Sequence, residues 1–206
     1  EGAYLIGKIA GMITDDDATT FGAIHVSQGP NSFKWRWGYM EGVKSEKDNT
    51  KFIFNYVGSY NDPAKAKEYA IQQYEQGCQF INSAAAGGDK GVFEAAKEKH
   101  FYTSGQDVDL TTPDNPWVAT CQIKDTYATV GYLMDQYCNG KWTTENESLG
   151  IAEGAIGAVY VTHDSENPRC EKLTDEHIKE LKDTVEKIKT KEIDLSVVPD
   201  EESYVQ

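Results

Sequence analysis

The chain has 206 residues, 39% hydrophobic and 26% charged, the proportions of a globular protein with one large or two small domains. Its 34 acidic and 20 basic residues give a formal net charge of −14, which repels phosphate backbones and argues against nucleic acid as a partner. No apolar run approaches the roughly 18 residues of a membrane span. The chain opens at Glu1 inside an amphipathic pattern, with neither an initiator Met nor a leader, as expected of a mature or truncated product.

Helical and strand patterns alternate from the start. The spacing of Tyr4, Leu5, Ile6, Ile9 and Met12 predicts a helix over residues 2–12, followed by a strand over 21–26. Residues 33–43 read as a helix, and the dense aromatics Phe33, Trp35, Trp37 and Tyr39 read as its packing face. A strand covers 52–57, and Asp62-Pro63, an N-cap and first-turn pair, starts a helix over 64–76, stopped by Gly77. A short buried strand (80–83), a helix (92–99) and a strand (100–104) follow. Residues 117–123 predict a strand and 127–138 a helix ended by Asn139-Gly140, while the alternating Gly/Ala-rich stretch 150–162 predicts strand and turn. Thr174 caps a last helix with Ile178, Leu181, Val185 and Ile188 on one face; the acidic tail from Asp200 to Gln206 is expected to fray. Strand–helix alternation at this spacing predicts an α/β fold with a parallel sheet flanked by helices.

In such sheets ligands bind at the carboxyl ends of the strands. Three successive strand ends here run into polar turns, at Gly58-Ser-Tyr60-Asn-Asp62, at Gly87-Gly88-Asp89-Lys90-Gly91, and at Gly105-Gln-Asp107-Val-Asp109. A carboxylate at Asp107 suits a bidentate grip on a sugar diol, although taken alone an Asx-type turn is the commoner reason for an aspartate there. Lys124 closes the strand 117–123 and is either a donor reaching into the cleft or a surface lysine. Gly87 and Gly88 let backbone approach a ligand, but the spacing is neither a P-loop nor G-x-G-x-x-G. Tyr60 is placed to stack on a ring or to cover the sheet edge, and Trp117 to rim a cleft.

The four cysteines (Cys78, Cys121, Cys138, Cys170) contain no C-x-x-C, leaving buried thiols or one disulfide as alternatives. The four histidines are scattered, and no nucleophile–base pair, metal spacing or G-x-S-x-G elbow occurs. These turns therefore predict ligand holding rather than catalysis, with no cofactor.

Taken in order, Y-L-I-G near the start, Gly38-x-x-x-Gly42-Val43-Lys44, G-S-Y-N-D-P-A-K, A-A-A-G-G-x-x-G-V-F-E-A-A-K-E-K, G-x-D-x-D and Lys124 resemble the basic membrane protein (Bmp) family of substrate-binding lipoproteins, which includes nucleoside receptors of ABC transporters. The resemblance runs from about residue 3 to 198. It implies a type I periplasmic-binding-protein fold, with two α/β lobes closing on a nucleoside-like ligand. It also implies an ABC permease as partner, no enzymatic activity, and an extracytoplasmic location through a lipid anchor outside this chain. By position, Asp107 and Lys124 correspond to the family's sugar-holding carboxylate and lysine, and the Gly87–Gly91 turn to the backbone wall beside the sugar. Asn82 stands where the nucleoside receptors carry a base-stacking aromatic, and Asp89-Lys90 brings a charge toward the cleft where the family favours Thr/Gly.

The resemblance also implies that an opening segment of roughly a hundred residues, most of the first lobe, lies outside this chain. On that alignment residues 1–125 form the second lobe, 126–158 belong to the first, and 159–206 return to the second. Alternative readings are a half-receptor acting as a sensor or protein-interaction domain, with self-association an expected outcome, and a flavodoxin-like enzyme.

Overall fold

The computed structural model describes residues 1–202 and 204. Within them, six helices and six strands follow in the order α1 (Gly2–Ile13), β1 (Thr20–His25), α2 (Pro30–Lys44), β2 (Lys51–Tyr56), α3 (Pro63–Glu75), β3 (Phe80–Ala84), α4 (Asp89–Lys99), β4 (Tyr102–Asp107), β5 (Val118–Lys124), α5 (Thr126–Cys138), β6 (Ile156–Ala158) and α6 (Asp175–Lys189), with a single 3₁₀ turn at Ala86–Gly88. The strands form one sheet in the order β2-β1-β3-β4-β5-β6. The first five run parallel, and β6 pairs antiparallel with β5.

Alternation along each strand divides the sheet's two faces. Phe21, Ala23 and Phe80 face α1, α2 and α6, where Leu5, Ile6, Ile9, Tyr39 and Leu181 complete one core. Ile24 and Ile81 face α3 and α4, where Ala66, Ala70, Val92 and Ala96 complete the other. Helices α1 and α2 touch backbone to backbone at Gly7 and Gly42. At their outer margin the ammonium of Lys8 is buried between Glu46 of the α2–β2 loop and Glu180 of α6, so the charge enters the interface paired. The caps form as their residue types dictate: Asp62 Oδ1 accepts from Lys65 N–H at 3.0 Å, and Thr174 Oγ1 from His177 N–H at 3.2 Å.

Several expectations change. His100 is not in a strand; it ends α4 in the left-handed conformation (φ 64°), and β4 runs on through Asp107. Trp117 does not rim a cleft. It precedes β5 at the amino end of the sheet, stacked on His100 at 5.0 Å and tilted against Tyr102 at 5.1 Å. The tail is docked where it is described. Glu201 pairs with the buried guanidinium of Arg36 at 2.5 Å, Tyr204 packs edge-on against Phe33 at 6.0 Å, and the Tyr204 hydroxyl bonds Glu41. An aromatic at position 204 can bury against α2, which acidity alone does not reveal; residues 203, 205 and 206 lie outside the described residues.

Residues 126–150 stand off this body, since α5 has no buried residue, whereas 156–158 rejoin the sheet as β6. All four cysteines are free thiols, and burial pushes Cys78 and Cys121 up to about 12, which leaves them unreactive. No helix among the described residues is long and apolar enough to cross a membrane.

Candidate functional site

The carboxyl ends of β1, β3, β4 and β5 open onto a cleft of about 440 Å³, in the range of small-molecule sites. Its floor is His25, Ala84 and Gln106; Trp35 and Ser32 of α2 form one wall, and Asp107 and Lys124 close the far end. Tyr60, 75% exposed on the β2–α3 loop, stands over the rim. A neighbouring cavity of about 460 Å³ between α5 and residues 142–149 shares Lys124, but its walls are the segment that stands off the sheet.

Asp107 and Lys124 meet across β4 and β5, Nζ to Oδ1 at 2.8 Å, both more than half exposed. Asp107 ends its strand at φ 69°, a backbone conformation that aspartate tolerates better than most side chains. An exposed pair contributes little to stability. It leaves a carboxylate with free acceptor sites beside an ammonium with free donor sites, the complement of a vicinal diol.

The glycine turn forms the shoulder of the site rather than its lining. Gly87 N–H donates to the Tyr60 carbonyl at 2.9 Å, and a Cβ on Gly87 would stand 2.8 Å from Asn61 Oδ1. Gly87 is therefore glycine because the β2–α3 loop presses on it, and Gly88 packs against Ala85 and Ala66. The surfaces turned to the cleft are Ala84 and Ala86.

Asp89 does not present its charge to the cleft. Its carboxylate turns inward, where Oδ1 accepts from the Ser83 hydroxyl at 2.5 Å and Ala85 N–H at 2.7 Å, tying the end of β3 to the start of α4. Burial pushes its pKa up to about 6, opposed by those two hydrogen bonds and reinforced by the nearby Asp107 charge. A folded pKa above the unfolded value of 3.8 stabilises the fold below pH 3.8, and that contribution is lost as pH rises through about 6. Asp89→Asn keeps an acceptor for both donors and cannot ionise. We expect it to remove about 2 kcal/mol of the fall in unfolding free energy between pH 4 and 7. Urea denaturation across that range checks this, and an unaltered pH slope refutes it.

Asn82 lies beneath the floor, fully buried. Its Oδ1 accepts from Ser104 Oγ at 3.2 Å and Gln106 Nε2 at 3.1 Å. Three further residues of the cleft escape a reading of the sequence as binding residues. Trp35, expected among the packing aromatics of its helix, is half-buried and faces the cleft, while Phe33, Trp37 and Tyr39 are the ones in the core. His25 ends β1 as a polar residue after the apolar run 21–24, which is a signal, whereas Gln106 sits in the already polar strand β4 and nothing in the local pattern marks it. Burial, with the Arg36 cation adding to it, drives His25 down to about 3, so its ring is neutral throughout the physiological range.

Comparison with known proteins bears on the fold and the family. Basic membrane protein A of Borreliella afzelii is 32% identical over 99% of this chain and 60% of its own length. A protein of Lactococcus lactis named ABC transporter nucleoside-binding protein BmpA is 28% identical over 94% of this chain and 56% of its own length. A crystal structure of an ABC transporter solute-binding protein from Aeropyrum pernix superposes with a TM-score of 0.74 at 20% identity, covering 98% of this chain and 65% of that one. The fold is therefore that of the type I periplasmic binding proteins, and the chain spans less than two thirds of the length of each of these relatives. The Bmp family, described as ABC transporter substrate-binding protein PnrA-like, matches residues 1–198, and the chain belongs to it.

Proposed function

We propose that the chain belongs to the solute-binding component of an ABC import system and holds a nucleoside or related small polar ligand without transforming it. The observation that carries this reading is the convergence of Asp107 and Lys124, seventeen positions apart in sequence, at the strand ends that border the cleft. Asp107 accepts from the sugar hydroxyls and Lys124 donates to them; Ala84, Ala86 and the glycine shoulder supply a close backbone wall. The Lactococcus relative's name supports the nucleoside class. The receptor acts outside the cytoplasm, tethered by a lipid anchor, and delivers its ligand to a membrane permease. Residues 126–150 reach toward a first lobe, and the remainder forms the second. Calorimetric titration with adenosine, guanosine, inosine and uridine tests the reading. Heat of binding is expected for at least one of them, and no heat with any of the four overturns it.

One observation favours a second reading. α5 exposes Tyr127, Val130, Met134 and Tyr137, the first to 91%, an apolar face that a second copy of this chain would cover. A monomeric mass by light scattering at high concentration removes this reading.

A further inference from the structure

Helix α5 has no buried residue, so its direction is governed at its root, where the chain leaves β5 immediately after Lys124. Asp125 holds that root. Its N–H donates to the Ala155 carbonyl at 2.8 Å, and its two carboxylate oxygens have separate tasks. Oδ1 accepts from Ala128 N–H at 2.8 Å and caps the helix, while Oδ2 faces His163 Nε2 at 3.4 Å. The Ala128 N–H first, and then His163, hold the Asp125 carboxyl below its usual range, so it is ionised at neutral pH.

His163 comes from the turn after β6, and a seat is built for its ring. A Cβ on Gly157 would stand 2.8 Å from His163 Nδ1 and 2.9 Å from Cε1, and closer still to Thr162 Oγ1. Strand β6 thus leaves out a side chain where the imidazole lies. Thr162 Oγ1 is 2.9 Å from Nδ1 and itself accepts from Ala158 N–H at 3.0 Å. The donors balance in either charge state. With a neutral ring, Nε2–H donates to Asp125 and the Thr162 hydroxyl to Nδ1. With a protonated ring, Nδ1–H donates to Thr162 Oγ1, whose hydroxyl turns to the Ala158 carbonyl at 3.3 Å. Protonation therefore costs no hydrogen bond and gives the contact with Asp125 a full opposite charge. The same groove presents Glu153 from the turn before β6 and Lys182, Asp183, Glu186 and Lys189 from α6, of which Glu186 and Lys189 pair at 2.8 Å. Asp164, next in sequence, is exposed. Among the described residues, Asp125 is the carboxylate paired with His163.

We propose that His163 is a positioning residue for the binding edge: acting through Asp125, it fixes the root of α5, and with it the adjacent Lys124, in the orientation that meets Asp107, and it does so more firmly when charged. The inference rests on the solute-binding reading, which takes Lys124 as a ligand donor. When the clasp loosens, no buried side chain of α5 holds the helix in its place, and fewer molecules carry Lys124 where the ligand needs it. Apparent affinity falls with that fraction. Histidine is the side chain whose charge changes between pH 5 and 8, so capture of a neutral ligand becomes sensitive to pH in that window.

The test uses the full 206-residue chain. Cys138 on α5 is the exposed one among the four free thiols, so a nitroxide spin label attaches there. The label is expected to be less mobile at pH 5.5 than at pH 8. His163→Gln keeps a donor and an acceptor but cannot charge, and Asp125→Asn keeps the cap's acceptor; each should make the mobility independent of pH. Calorimetry with whichever of adenosine, guanosine, inosine and uridine binds best should give an affinity about threefold higher at pH 5.5 than at pH 8. That difference should vanish in both variants, and comparison with His163→Gln cancels the titration of Asp89 near 6. A label or an affinity that follows pH alike in the native chain and in both variants overturns the inference and leaves the solute-binding reading standing. No heat with any of the four nucleosides removes that reading, and the label alone then decides the clasp.

Discussion

Asp107→Ala is expected to lower ribonucleoside affinity about a hundredfold, near 2.7 kcal/mol, because two charge-assisted hydrogen bonds to the sugar diol are lost together. Stability should barely change. The carboxylate is more than half exposed, its partner Lys124 equally so, and such pairs contribute about 0–1 kcal/mol. For a chain of this length that amounts to a melting-temperature change of at most about 4 °C. Loss of affinity without loss of stability distinguishes a binding residue from a structural one. Lys124→Met should weaken binding less, since an ammonium directs its hydrogen bonds with less geometric constraint than a bidentate carboxylate. The double variant should lose less than the sum of the two, because each residue also orients the other. A 2′,3′-dideoxynucleoside should bind the native chain no better than the ribonucleoside binds Asp107→Ala. Calorimetry on the variants and both ligand types measures all of this, and native-like affinity of Asp107→Ala would show that the sugar is held elsewhere.

The second large effect concerns the framework behind the cleft. A Cβ on Gly42 would stand 2.1 Å from the Tyr4 carbonyl oxygen and 2.8 Å from Lys8 N, and one on Gly7 would stand 2.0 Å from the Tyr39 carbonyl oxygen. The obstacles are backbone atoms of the facing helix, so no side chain can swing aside. Gly42→Ala must force α1 and α2 apart across the core that carries Leu5, Ile9 and Tyr39. We expect a loss of roughly 3 kcal/mol or more, a large share of the 5–15 kcal/mol typical of a domain, despite alanine's better helix propensity of about 1 kcal/mol. Gly131 on α5 is the matched control. Among the described residues nothing lies within 4 Å of the place a methyl group on Gly131 would occupy, so Gly131→Ala should be neutral or slightly stabilising. Urea denaturation of the pair decides the point; equal stability of Gly42→Ala and the native chain would mean that the helices are not in backbone contact.

The succession of helices and strands was legible because each element carries its own period and punctuation. Asp62-Pro63, Thr174 and Asn139-Gly140 bound their helices as their residue types require. The polar strand ends were legible for the same reason, and Asp107 and Lys124 do meet. What local pattern could not show was direction. Asp89 and Lys90 are adjacent in sequence, yet only the fold reveals that Ser83 and Ala85 turn the carboxylate inward. Trp35 differs from Trp37 by two positions on one helix, which is enough to rotate one toward the cleft and the other toward the core. His25 and Gln106 share a rung of the sheet only because β3 lies between β1 and β4, an ordering that no single strand encodes. The docking of the tail depends on contacts across some 165 residues, such as Arg36 with Glu201.

That last contact bears on how the binding edge can move. The Arg36 guanidinium lies 5.2 Å from the centre of the Phe54 ring, 5.4 Å from Phe33 and 5.7 Å from Tyr56, while gripping Glu201. Helix α2, strand β2 and the closing stretch of the polypeptide are thereby riveted together, with Trp35 projecting from the assembly. Any swing of that aromatic jaw during ligand capture has to carry the carboxyl-terminal stretch along as one piece. A spectroscopic label at Glu202 would ride with the jaw and register its motion at a distance from the ligand.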